Sequence, residues 1–287
     1  MSAPTADRCY RHPDRQSWVL CSRCGRTICG ACQQQAPVGV RCPDCVAELR
    51  QEQRATQRET RRAHGAPTTA VGQRIRSWFA QPAPVTMTIV AVTVLVGLLQ
   101  LLPGDVSGSL LYWVGYSLSE PWRHVTYALV HASPLHLAFN MLVLVMVGPS
   151  IEQRIGRLPF LAAYVVTAIG AAVAVAWFTP QAAVVGASGA IYALFGMAIG
   201  MQRMLGRVQP SLLIVVGINL VITFLVTNVS WPAHVGGLVP GLGIGFGIGW
   251  LDRRRSPRTD RGAAWIVIAA AAGLVALLLA ARIATLL

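Results

Sequence analysis

"AAVVGASGAIYALFGMAIG", residues 182–200, sets Ser188 between two glycines at the head of a run without a single charged side chain. Such a serine is either part of a linker turn or a nucleophile held inside a bilayer. Below it, Gly189, Ala193, Gly196 and Gly200 form a stripe of small residues at helical spacing. A second stretch matches it. "PAHVGGLVPGLGIGFGIG", residues 232–249, repeats Gly237, Gly241, Gly245 and Gly249 on the side that carries His234. Small-xxx-small stripes let two membrane helices approach through their backbones. Packing these two stripes together brings Ser188 and His234 to one depth and within reach of each other.

The rest of the chain supplies the membrane context. Of 287 residues, 54% are hydrophobic and only 12% are charged. The apolar residues fall in seven runs, about 85–102, 124–149, 159–179, 186–203, 211–229, 231–250 and 263–284. Each approaches the ~20 residues that cross a bilayer core as a helix, so the expectation is an all-α polytopic membrane protein. The net charge is +13, carried by arginine with no lysine. Those arginines cluster between apolar runs and ahead of the first, and no aromatic-basic platform accompanies them. Topology therefore accounts for them, and nucleic-acid binding is not expected.

The connections predict orientation. With a cytoplasmic N-terminus, the inner loops are "SIEQRIGR" (150–157), "RMLGR" (203–207) and "DRRRSPRTDR" (252–261), whereas 103–121, 180–185 and 229–232 hold no arginine. The positive-inside rule favours this arrangement, with the C-terminus outside. Four parts follow: a Cys-rich module, 1–46; a charged linker and juxtamembrane segment, 47–81; six spans, 82–250; and a loop with a seventh span, 251–287. In the linker, "AELRQEQRATQRETRRAH" reads as a solvated helix, "GAPTTAVG" as a flexible break and "QRIRSWFAQP" as a segment at the headgroups.

Polar residues concentrate in runs 2, 4 and 6, which this topology starts from the outer side. "HASPLHLAFN" puts His136 and Asn140 one helical turn apart on a shared face. Tyr192 follows Ser188 by one turn. A lone serine in such a helix commonly bonds back to a carbonyl, but Ser, two His and Asn converging at three outer helix ends argue for chemistry. Histidine titrates near neutrality and can take a serine proton. A helix N-terminus favours developing negative charge. The Ser188 N–H, His136 and the Asn140 amide could cradle an oxyanion, each donor contributing about 3–4 kcal/mol. No acid stands as a third member, so a Ser188/His234 dyad is expected.

On these residues the membrane part resembles the rhomboid family of intramembrane serine proteases. "EPWRHVTYALVHASPLHLAFNM" resembles the family's W-R segment followed by H-x-x-x-x-H-x-x-x-N, on Trp122, Arg123, His131, His136 and Asn140. "GPSIEQRIG" resembles its G-x-x-x-E-x-x-x-G, and "GASGAIYALFG" and "AHVGGLVPG" its nucleophile and general-base motifs. The resemblance implies a six-helix core plus a seventh C-terminal helix. It also implies a water-filled cavity open to the outside of the cell membrane, and cleavage of single-pass membrane proteins near their outer boundary. It assigns Ser188 as nucleophile and His234 as base. His136, Asn140 and the Ser188 N–H are assigned as oxyanion donors, with Tyr192, Gly186 and His131 in support. No cofactor is implied for the cleavage itself. The alternative reading is an inactive relative that binds membrane clients.

All seven cysteines lie between Cys9 and Cys45, and an odd number in C-x-x-C pairs argues against a disulfide framework. With His12 the set is Cys9, His12, Cys21, Cys24, Cys29, Cys32, Cys42 and Cys45: eight ligands in four pairs, the complement of two structural zinc ions. A module of this size needs such support to fold. The spacing resembles a B-box zinc finger through the sixth ligand, but ends in Cys42-Pro-Asp-Cys45 where B-boxes usually end in two histidines. That resemblance implies cross-brace pairing (Cys9, His12, Cys29 and Cys32 on one ion); sequential pairing stays open from the spacing. In the reducing cytoplasm the thiols would stay available for metal, and the module's expected role is to bind a protein partner or influence substrate choice.

Overall fold

In a computed structural model of the chain, residues 7–36, 39–63, 70–206, 208–226, 229–254 and 261–285 are described, with backbone alone for 57–63, 70, 73–75 and 261. Residues 65–69 of the break expected at 65–72, and the arginine-rich stretch 255–260, lie outside the described residues; the last three residues of that break, 70–72, are helical instead and open the helix that continues to Phe79. Two compact units form, residues 1–76 and 77–287.

The first unit carries strands β1 (Gln34–Gln35) and β2 (Val40–Arg41), an antiparallel pair, and helix α1 (Pro43–Ala63). Its buried apolar cluster is made of Ile28 and six of the cysteines. Helix α1 starts inside the last cysteine pair and continues through the charged stretch read as a solvated helix. Helix α2 (Ala70–Phe79) follows.

The second unit is helical: α3 (Pro84–Leu99), α4 (Val106–Leu110), α5 (Arg123–Thr126), α6 (Pro134–Ile155), α7 (Arg157–Phe178), α8 (Ser188–Met204), α9 (Pro210–Leu225), α10 (Trp231–Arg254) and α11 (Arg261–Ala284). Helices α6, α7, α10 and Gly262–Ala284 of α11 are long and apolar enough to cross a membrane, while α3 and α9 are shorter apolar helices of 16 residues. Large apolar side chains are exposed along α9 and α11, among them Ile218, Phe224, Leu274 and Leu277. Such faces suit lipid, and the chain is a multi-pass membrane protein.

The expectation of seven runs near twenty residues is corrected at run 2, and the helices of runs 1, 4 and 5 (α3, α8 and α9) are shorter than expected. Run 2, read as 124–149, is interrupted. Helix α5 and a 3-10 turn lead into extended backbone at Val130, and α6 begins only at Pro134. Ser133 caps it, accepting from the His136 N–H at 3.2 Å, and Pro134 stands where the missing N–H costs nothing. Helix α6 then runs through to Ile155, so most of the expected inner loop 150–157 is helix. Helix α8 has 17 residues, and its side chains from Gly189 to Met197 are all buried. Being enclosed by neighbouring helices, it does not have to match the lipid thickness, because irregular backbone before it is covered by protein.

Helices α8 and α10 lie closest together. A methyl group added at Gly241 would strike the backbone of Ala193, one at Gly245 the backbone of Met197, and one at Gly196 the backbone of Leu238 and Leu242. Two stripes of small residues therefore interlock, as their spacing predicts.

One end of the helical unit is held by one carboxylate. Glu152, 1% exposed, accepts from the Val85 N–H at 3.0 Å and from the Thr86 N–H and hydroxyl, both at 2.7 Å. It caps α3 from a different helix, and its charge meets the positive end of that helix. Gly148 lies against the Thr86 methyl, and Gly156, at φ 92°, makes the turn from α6 into α7. Hydrogen bonds to charged groups contribute about 1.5–3 kcal/mol. Glu152→Gln keeps the shape but replaces one acceptor oxygen with a donor. We expect it to lower stability by about that amount, read as a fall in the thermal unfolding midpoint in detergent.

Candidate active site and metal centre

Ser188 is the first residue of α8 and is half-buried. Gly186, two residues earlier, has φ 116°, a conformation that side chains resist. A β-carbon there would also collide with the His136 ring. The approach to Ser188 is pinned on both flanks. The Gly186 N–H donates to the Tyr127 carbonyl at 2.9 Å, and Val184 pairs with Tyr112 through N–H···O bonds of 2.8 and 3.0 Å. Tyr112 belongs to the connection 103–121, which Arg123 holds in place. Buried at 5% exposure, Arg123 donates to the Gly108 and Leu111 carbonyls, pairs with Glu120 at 2.8 Å, and stacks over the Tyr116 ring.

His234 sits in the first turn of α10, where Ser230 accepts from the Ala233 N–H at 3.4 Å. Its Nε2 lies 2.8 Å from the Ser188 Oγ. Tyr192 stacks on the imidazole, ring centroids 4.2 Å apart and planes 16° from parallel. Ser188, His234 and Tyr192 are thus brought together. His131, read within the second run, lies in the extended segment before α6, with the Ala187 N–H 3.4 Å from its Nε2 and its ring edge-on to His136 at 5.0 Å. His136 is in the first turn of α6, its Nδ1 facing the Ala132 N–H at 3.4 Å and its Nε2 on the side of Gly186. Asn140 is buried one turn further, its amide donating to the His136 carbonyl at 2.8 Å. No direct hydrogen bond joins His136 or Asn140 to Ser188 among the described residues.

Two residues escape the sequence reading. Thr223 of α9, 3% exposed, lies 2.7 Å from the His234 Nδ1 and 3.0 Å from the Tyr192 hydroxyl. Gln100 exchanges hydrogen bonds with the His131 backbone at 2.9 and 3.0 Å. A signal for Thr223 was present: Asn219 and Thr223 are polar residues one turn apart in a helix that is apolar from Leu212 onward apart from them, and intramembrane polar groups are costly unless used.

In the first unit the eight ligand-type residues separate into two clusters. Cys9, His12, Cys29 and Cys32 form one, and Cys21, Cys24, Cys42 and Cys45 the other, the ligand atoms of each within 4.8 Å of one another. His12 presents Nδ1, which lies 3.3–3.8 Å from the three sulfurs of its cluster. The Cys24 and Cys42 sulfurs are 3.8 Å apart, the edge expected of a tetrahedron with metal–sulfur bonds of about 2.3 Å. All seven thiols are free. Burial works to raise the Cys21 thiol, but backbone N–H groups of Cys24, Cys42 and Arg23 outweigh it and hold it at about 6. Cys45 is pushed up by burial and by the neighbouring sulfurs of Cys42, Cys24 and Cys21. A cluster that favours a first thiolate and opposes the next fits a divalent cation, and both sites are compatible with zinc. Elemental analysis of the full chain should find two zinc ions, and Cys21→Ser should reduce this to about one.

Residues 118–251 match the rhomboid domain family. The rhomboid protease GluP of Bacillus subtilis is 35% identical over 127 residues, 42% of this chain and 25% of GluP. YdcA of the same organism is 30% identical over 182 residues, 58% of this chain and 90% of YdcA. The rhomboid protease GlpG of Serratia proteamaculans is 30% identical over 196 residues, 64% of this chain and 67% of GlpG. This chain thus spans only a quarter of the first of these relatives and most of the other two.

Proposed function

This chain belongs to the rhomboid family, and from that membership we propose that it is an intramembrane serine endopeptidase. The observation that carries the reading is the 2.8 Å contact between the Ser188 Oγ and the His234 Nε2 at two helix starts. As the Ser188 oxygen attacks the scissile carbonyl carbon, its proton passes to the His234 Nε2. The tetrahedral oxyanion is held by the Ser188 N–H, His136 and the Asn140 amide, aided by the positive end of α8. Collapse breaks the C–N bond, and His234 returns the proton to the leaving amine, giving an acyl-enzyme. Water then attacks that ester with His234 as base, releasing the acid and restoring Ser188. Tyr192 holds the imidazole plane by stacking, Gly186 gives His136 room, and His131 supports the backbone at Ala187.

The substrates in this reading are single-pass membrane proteins cut near the outer face. The six-plus-one arrangement of α3 and α6–α11, with a cytoplasmic N-terminus and an extracellular C-terminus, rests on the loop arginines. The domain boundaries at 46, 81 and 250 belong to the same proposal. The N-terminal module is a B-box-like, cross-braced zinc domain in the cytoplasm. Its metal would be held by the eight residues above and would supply folding energy, not chemistry. A contiguous apolar run, Trp18 (76% exposed), Val19 and Leu20 (56%), supports its reading as a docking point for a protein partner.

A fluorophosphonate probe should label the wild-type chain in detergent and fail on Ser188→Ala. Cleavage of a single-span reporter should fall by at least about 10³-fold in Ser188→Ala and His234→Ala, and by about 10²–10³-fold in Asn140→Ala. Absence of both labelling and cleavage in the wild type would favour the client-binding alternative.

A further inference from the structure

We propose that Thr223 is a positioning residue that keeps the proton of His234 on Nδ1, so that Nε2 presents its lone pair to Ser188. The inference deepens the protease reading, and its catalytic consequence rests on it. The Ser188–His234 pair by itself does not say which ring nitrogen carries the proton. In the wrong tautomer, Nε2–H would point at the serine oxygen, and no base would face the hydroxyl.

The neighbours of the Thr223 Oγ1 resolve this by counting protons. Oγ1 has three polar contacts: the Asn219 carbonyl at 2.8 Å, the His234 Nδ1 at 2.7 Å and the Tyr192 hydroxyl at 3.0 Å. A hydroxyl has one hydrogen to give and two lone pairs to receive with. The Asn219 carbonyl can only accept, so that contact takes the threonine hydrogen. The other two partners must then both donate. Tyr192 gives its O–H, and His234 gives Nδ1–H. The opposite arrangement, with threonine donating to a bare Nδ1, would leave two acceptor oxygens facing each other at 2.8 Å without a hydrogen between them. With the proton on Nδ1, the Nε2 lone pair faces the Ser188 hydroxyl at 2.8 Å.

The choice of threonine suits the place. Thr223 is a buried side chain in an apolar helix. A carboxylate there would face the same Nδ1, as the acid of a Ser–His–acid triad does, but a charge so placed is expensive to desolvate. A hydroxyl already locked to its own helix carbonyl offers a fixed acceptor without a charge. Its β-branch restricts χ1, so that acceptor does not wander. The tyrosine that stacks on the imidazole is tied to the same oxygen. One hydroxyl thereby fixes the histidine's tautomer directly and, through Tyr192, its ring plane.

The test uses the full chain in detergent, with 15N-labelled histidine and a fluorophosphonate probe. The His234 signals are assigned by their loss in His234→Gln. The wild type should show Nδ1 protonated and Nε2 bare. Thr223→Val, which removes the oxygen but keeps the shape, should populate the Nε2–H form and slow Ser188 labelling roughly 10- to 100-fold. Thr223→Ser should restore the Nδ1–H form and labelling to within about threefold of wild type. A wild type protonated on Nε2 overturns the proposal, and so does a folded Thr223→Val that labels at the wild-type rate with Nδ1–H retained. If Thr223→Val does not fold, the wild-type spectrum decides alone. If the spectrum is as expected but neither labelling nor cleavage occurs, the assignment of Thr223 stands and the protease reading falls.

Discussion

Helices α8 and α10 meet backbone against backbone, and the geometry of the site descends from that contact. In lipid there is little hydrophobic force between helices, so association depends on close packing. Gly241 and Gly245 let the carbonyls of Ala193 and Met197 approach to where a side chain would otherwise stand, and Gly196 does the same in the other direction. Interlocked in this way, the two helices cannot slide past one another without backbone collision. Their first turns are therefore held at one level, which is why a serine at the start of one and a histidine at the start of the other share a 2.8 Å contact.

The two ends of the helical unit solve the same problem by different means. Polar backbone at membrane depth must find its partners within the protein. At the end with Glu152, one buried carboxylate satisfies the first N–H groups of α3. At the end with Ser188, Arg123 collects carbonyls of the 103–121 connection, Tyr112 pairs with Val184, and Tyr127 receives the Gly186 N–H. Charge is used where it orders a loop or caps a helix. The immediate surroundings of His234, by contrast, are neutral: the stack of Tyr192 and the hydroxyl of Thr223.

The N-terminal unit is stabilised on another principle. Its buried apolar cluster is Ile28 with six cysteines, so it has little apolar surface with which to offset the entropy of folding. Two clusters of four ligands, each drawn from alternate pairs along the chain, would with bound metal tie distant segments together where a hydrophobic core would otherwise do so. The interleaving matters physically, because a metal ion held at either cluster would close a longer loop than sequential pairing would.

Much of this was readable from local pattern. Apolar run length, glycine stripes at helical spacing, loop arginines and paired cysteines are properties of neighbouring residues, and each states its physical meaning without reference to the rest of the chain. The spacing of Ser188, Tyr192 and His234 along their helices belongs to this class. Other features depended on partners far away in sequence. Glu152 reads as a loop residue until it is found bonded to Thr86, 66 positions earlier. Run 2 looks continuous until Ser133 and Pro134 stop it, because apolar composition does not report where a helix begins. The two ligand sets cannot be paired from spacing alone. Thr223 is an unremarked polar residue in an apolar helix until folding sets its oxygen against the histidine. Periodicity specifies which face a residue occupies, but a hydrogen bond needs a partner at a definite distance and direction, and only the packed helices provide that.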